Sequence, residues 1–223
     1  MIFNRKLRVI KRSGSALSNA QLEHICSLNE YVMNTTGSQY IELERCKVKD
    51  FVSSVDSAYL IEDTINNRVL GSIFVDHIPS SKSNRTFIQI DYMLVHPSLR
   101  GSALANWMFI RIGIDILRRF YGKDIWFIAI GSYPLGFRAA WKYGGTVRHS
   151  LDPEIPTEVK AVMVDLARNQ CKERWNPETE CIQILTLPPN IPDKALERFK
   201  RESWWDYYHS VGPNWKAGKG FLA

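Results

Sequence analysis

The segment Ile90–Met108, IDYMLVHPSLRGSALANWM, gathers more chemically useful residues than any other part of the chain. An apolar run ends at Val95, Pro97 breaks any ladder because it lacks an N–H, and a basic turn leads into a long apolar helix pattern. The first N–H groups of a helix have no intrahelical acceptor, and the helix dipole places partial positive charge there. Small side chains at Gly101, Ser102, Ala103 and Ala105 let an anion approach that backbone, and Arg100 adds charge beside it. The N–H groups from Gly101 through Leu104 to Ala105 are therefore expected to be unpaired and to converge on a spot suited to a phosphate or pyrophosphate. An ordinary helix start packed on a strand explains the helix, but not Pro97, Arg100 and the small residues together.

In this segment the chain resembles the GNAT superfamily of acetyl-CoA-dependent N-acyltransferases. The family motif reads V-x-P-x-x-[RQ]-x-x-G-x-[GA], and Val95, Pro97, Arg100, Ala103 and Ala105 stand in register with it. Arg100-Gly101 matches the Arg-Gly of many family members, and AAWKYGG further on resembles the family's second motif, a short aromatic helix closed by glycine. The element order from Leu7 to about His149 matches as well, so the resemblance covers roughly two-thirds of the chain. Two departures stand out. Ala103 replaces the usual Gly, bringing a methyl near the expected pyrophosphate. Counting back four residues from Gly145 or Gly144 gives Trp141 or Ala140, where the family has its general-acid tyrosine; Tyr133 and Tyr143 are the nearby substitutes.

The resemblance implies direct attack of a primary amine on the thioester of acetyl-CoA, which serves as co-substrate. It further implies that backbone around Met93, Leu94 and Val95 pairs with the pantetheine arm. The Leu94 N–H is the expected oxyanion donor. Asp91, just before these contacts, is the first choice for the base, with Glu42 and Glu44 as alternatives. For Asp91, a surface or capping role competes on equal terms. The acceptor (small molecule, peptide or protein lysine) and the acyl chain length stay open. A rival reading keeps the fold but not the catalysis, as a structural or binding protein assembling through its C-terminus, for example in a virus particle.

The elements that must hold these residues follow from periodicity. Leu7–Lys11 reads as a half-buried strand, and Ser18-Asn19 cap a helix over Ala20–Met33. A shorter helix is expected over Val48–Val55. Strands over Ala58–Ile61, Val69–Ile78 and Thr86–Val95, with turns at Asn66-Asn67 and 80–84, form an antiparallel meander. A helix covers Ser102–Phe120, with Gly122 closing it. Asp124–Ile130 reads as a strand buried on both faces. Leu135–Tyr143 is a short helix, with a strand beginning at Thr146–His149. Further on come a helix from about Thr157, a strand over Cys181–Leu187 and a terminal helix from Asp193 to about Tyr208. The fold class is α/β: a mixed, mostly antiparallel sheet flanked by helices. Residues 1–156 form its core, and 157–223 are a C-terminal extension of the same domain.

The 223 residues, 45% of them apolar, supply one substantial core, and 23% charged residues argue against wholesale disorder. No apolar run reaches the roughly 20 residues of a membrane span, and the N-terminal stretch lacks the apolar centre of a signal peptide. A soluble, cytoplasmic protein is expected. The net charge of +6 mildly favours anionic ligands, but the basic residues are scattered, which argues against a nucleic-acid footprint. The four cysteines form no CxxC pair, so reduced thiols are expected and a structural metal is not. The C-terminal aromatics, Phe199, Trp204, Trp205, Tyr207, Tyr208, Trp215 and Phe221, are read first as a helix completing the core. A contact with another subunit or protein partner comes second, and stacking on single-stranded nucleic acid third. Residues Gly212–Ala223 are expected to be a loose tail.

Overall fold

The structure is a computed structural model, and it describes residues 6–33, 38–80, 84–100, 102–128, 130–131, 137–138, 141, 152–171, 175–178, 181–183, 193–211 and 219–222. The chain divides into two compact units, Met1–Trp126 and Phe127–Ala223. Among the described residues no helix is long and apolar enough to cross a membrane.

The first unit is built on β1 (Leu7–Arg12), β2 (Ser57–Asp63), β3 (Arg68–Pro79) and β4 (Arg85–Val95), an antiparallel run, with β5 (Asp124–Ile128) next to β4 in the sheet order. Strand periodicity decides what covers each face. Ala58 and Leu60 of β2 point to one side and pack with Ile25 and Leu28 of α1 (Asn19–Met33) and Val48 and Val52 of α2 (Ser38–Ser54). Tyr59 and Ile61 point to the other and pack with Met108, Ile112 and Ile116 of α3 (Ala103–Arg119). The meander is as expected, and Asn67 closes its first turn with φ of 49°. A capping box starts α1: Gln21 N–H donates to Ser18 Oγ (3.2 Å) and Ser18 N–H to Gln21 Oε1 (2.9 Å).

The expected helix over Val48–Val55 is corrected to the 17-residue α2. Its first half is polar and shows little apolar periodicity. Its charges are held by α1 instead: Arg45 pairs with Glu23 and Glu30, and Lys49 with Glu23. The start of β5 is tied to the start of β4, where Asp124 N–H donates to Asn84 O (3.1 Å) and Arg85 Nε to Asp124 Oδ2 (3.0 Å). Burial of β5 on both faces does not hold: Asp124 and Phe127 are exposed, as befits the last strand of this sheet.

The second unit contains α4 (Thr157–Leu166), continued by a π-turn over Ala167–Cys171, and a small sheet in the order β6 (Ile130–Gly131), β9 (Lys219–Leu222), β8 (Cys181–Gln183), β7 (Trp175–Asn176). The loose tail is thus corrected at its end, where β9 pairs with both β6 and β8. The single terminal helix is corrected to α5 (Asp193–Phe199) and α6 (Ser203–Val211). The turn between them lets Phe199 and Trp204 both be buried, and it presents Glu202 to Arg138 in two hydrogen bonds of 2.9 Å. Phe137, Phe199, Trp204 and Tyr208 are fully buried within this unit. The second-motif helix and the strand at 146–149 lie largely outside the described residues.

Candidate functional site

Strand β4 carries Gln89 and Asp91 on one face and Ile88 and Ile90 on the other. Asp91 stands opposite Phe74, a member of the core under α1 and α2, and Gln89 shares that face two residues earlier. Ile88 and Ile90 face α3. The register then shifts: Phe74 pairs with Asp91 but Ser72 with Leu94, so β4 carries one extra residue at Tyr92-Met93. This bulge returns Leu94 to the α1/α2 side while Met93 and Val95 pack toward α3.

The bulge also sorts the backbone donors. His96 N–H donates to Leu70 O at 2.9 Å. Antiparallel bonding alternates, so Leu94, two residues back and opposite Ser72, belongs to the same set and directs its N–H at β3. Val95, between Leu94 and His96, directs its N–H away from β3.

Asp91 is half-buried, and desolvation pushes its carboxyl up to about 6. The amide of Gln89, which donates to Oδ2, opposes the shift, and the charge of Asp76 adds to it. Asp76 is itself raised, first by burial, although Asp56 N–H donates to it at 2.8 Å. No cation pairs with Asp91 among the described residues. Above pH 6 it is an ionised carboxylate in a poorly solvated place, basic enough to accept a proton.

Past Val95 the chain makes one tight turn, Pro97–Leu99. It is capped by His96, whose Nδ1 accepts from Ser98 N–H (3.2 Å), and anchored by buried Leu99. The His96 ring stacks on Tyr31 of α1 with centroids 5.1 Å apart. Arg100 is exposed and its Nε donates to Val95 O (3.3 Å).

The expectation of five unpaired N–H groups is corrected at two of them. Ser102 is the N-cap of α3, its Oγ accepting from Ala105 N–H (3.2 Å), and Ser102 N–H donates to Leu99 O (3.0 Å). Ala103 and Leu104 retain first-turn N–H groups for which the helix provides no acceptor. Gly101, Tyr133 and Tyr143 lie outside the described residues. Glu42 and Glu44 fall within α2.

Three features escaped the sequence reading. Ser102 before a run of small helix formers is an N-cap signal that could have been read. The β4 bulge and the Tyr31–His96 stack have no local signal, because each depends on pairing with a distant segment.

No protein-family model and no curated protein matches the chain. Among solved structures, it is similar to a Trypanosoma brucei acetyltransferase at 17% identity and a TM-score of 0.47, over 68% of this chain and 99% of that one. A GCN5-related N-acetyltransferase from Ralstonia eutropha gives 12% and 0.48 over the same shares. An acyl-CoA N-acyltransferase from Pseudomonas aeruginosa gives 14% and 0.46, over 66% of this chain and 95% of that one. These three solved structures are an acetyltransferase, a GCN5-related N-acetyltransferase and an acyl-CoA N-acyltransferase.

Proposed function

We propose that the chain is an acyl-CoA-dependent N-acyltransferase, with acetyl-CoA as donor and a primary amine as acceptor. The observation that carries this reading is the run from bulged β4 into the Ser102-capped start of α3. It sets a desolvated carboxylate with no cation partner among the described residues, an outward backbone donor at Val95 and a small-residue helix start within one stretch of 15 residues, Asp91 to Ala105.

In this reading the pyrophosphate of CoA meets the N–H groups of Ala103 and Leu104 and displaces Ser102 Oγ from Ala105 N–H, with Gly101 and Arg100 alongside. The outward Val95 N–H pairs with the pantetheine arm. The oxyanion donor moves from Leu94 to Met93, since the Leu94 N–H is directed at β3. Asp91 takes the amine's proton as nitrogen attacks the thioester carbon, and collapse of the adduct expels the thiolate. Tyr133 or Tyr143 protonates that thiolate. Phe199, Trp204 and Tyr208 are buried, so these three do not offer an assembly surface.

The test is calorimetric titration with acetyl-CoA and with CoA at low salt, followed by acetyl transfer to a panel of primary amines. Binding of both ligands with a rise in melting temperature is expected. Asp91→Asn should retain CoA affinity while turnover falls about 100-fold or more. Absence of binding overturns the reading.

A further inference from the structure

The outer face of α3 is apolar where a solvent-facing helix is ordinarily polar. Trp107, Ile110, Ile114 and Leu117 follow one another at spacings of three and four, which is the seam of a helix pair, and Tyr121 stands in the turn just past the helix end. All five are exposed, Trp107 by 47%, Leu117 by 62% and Tyr121 by 93%. They lie opposite the buried face of Ala105, Met108, Ile112 and Ile116, so the core does not account for them. Gly113 sits beside the seam in mid-helix, and a Cβ there would meet nothing within 4 Å. A glycine in that place costs helix stability relative to Ala without an internal packing reason, but it lets another backbone come close.

The charges along the seam choose the occupant. Arg111 and Arg118 flank it on one edge, both exposed and without an ion-pair partner among the described residues. The helix's one carboxylate, Asp115, is turned away to Tyr59 OH (3.0 Å) and Lys11 Nζ (3.3 Å). A second copy laid antiparallel on this face would set Arg111 of one against Arg118 of the other.

We propose that the outer face of α3 docks an amphipathic helix whose apolar stripe is edged by Asp or Glu, each acid pairing with Arg111 or Arg118. This site lies apart from the helix N-terminus and does not rest on the acyltransferase reading.

The probe is a synthetic four-heptad peptide with Ile and Leu in the seam and Glu on both flanks, against a twin with Lys for Glu. Both are titrated into the full-length chain by fluorescence anisotropy. The Glu peptide should bind about tenfold or more tightly than its twin, and Arg111→Glu with Arg118→Glu should reverse that preference. Leu117→Glu should abolish binding and leave the melting temperature unchanged. Binding of neither peptide, or of both equally, overturns the proposal. So does a self-association that Leu117→Glu dissolves in sedimentation, which would assign the face to a second copy. A drop in melting temperature for Leu117→Glu would show that the chain covers this face itself, and that too overturns it.

Discussion

Asp63 and Asp91 stand on the same sheet, Asp63 buried and Asp91 half-buried with its carboxyl desolvated, and the structure treats them in opposite ways. At the β2–β3 turn, Asp63 accepts from Ile65 N–H (3.1 Å), Asn66 N–H (3.2 Å) and Asn66 Nδ2 (2.8 Å), so its oxygens are committed to shaping the turn. At the β4 bulge, Asp91 has the amide of Gln89 and a second carboxylate in range, and burial holds it up near 6. A carboxylate whose bonds organise its own backbone is architecture. One that is desolvated, underpaired and raised toward neutrality costs stability, and such costs gather at places that do chemistry.

Removing each group tests that contrast. Asp63→Ala should cost about 3 kcal/mol in chemical denaturation, since three hydrogen bonds to a charged acceptor are lost and two backbone donors are orphaned. CoA affinity should be unchanged. Asp91→Asn should likewise leave CoA affinity unchanged but raise stability at pH 8 by up to about 2 kcal/mol. The folded pKa lies above the unfolded one, near 3.9, so the group's stabilising share is present below about pH 4 and is lost as pH rises through about 6. The gain from Asn should therefore vanish in melts below pH 4. A loss of stability at pH 8 instead would make Asp91 structural and erase the contrast.

The same logic extends along α3. Ser102→Ala removes the cap on Ala105 N–H and should cost about 1 kcal/mol in thermal melts. Saturation with CoA should shrink that cost if the pyrophosphate takes over the donor. Gly113→Ala, at a position with room for the methyl, should gain about 0.8 kcal/mol in the free chain. A loss there would mean that something within the chain already presses on the outer face.

Most of the first unit was legible from periodicity and turn chemistry. Alternation in β2 separates Ala58 and Leu60 from Tyr59 and Ile61, Ser18 announces α1, and Asn66-Asn67 mark the first turn. The failures share one cause. The first half of α2 has charges where an apolar stripe was sought, and it is α1's Glu23 and Glu30 that hold it. The α5–α6 break has no Gly or Pro to announce it, because the need to bury Phe199 and Trp204 together sets it. At the site, the small residues and Arg100 could be read as an anion-binding turn, whereas the donors' directions could not.

What the chain alone determined was local: where most helices and strands begin, which faces are apolar, and that a turn at Pro97 separates β4 from α3. Those follow from interactions within a few residues, which a sequence displays directly. Tertiary structure decided the rest. One extra residue in β4 relative to β3 turns Leu94 back to the side of the sheet that α1 covers, and desolvation raises the Asp91 carboxyl. Both depend on segments that meet only after folding, because register and desolvation are properties of a pair of surfaces rather than of either one.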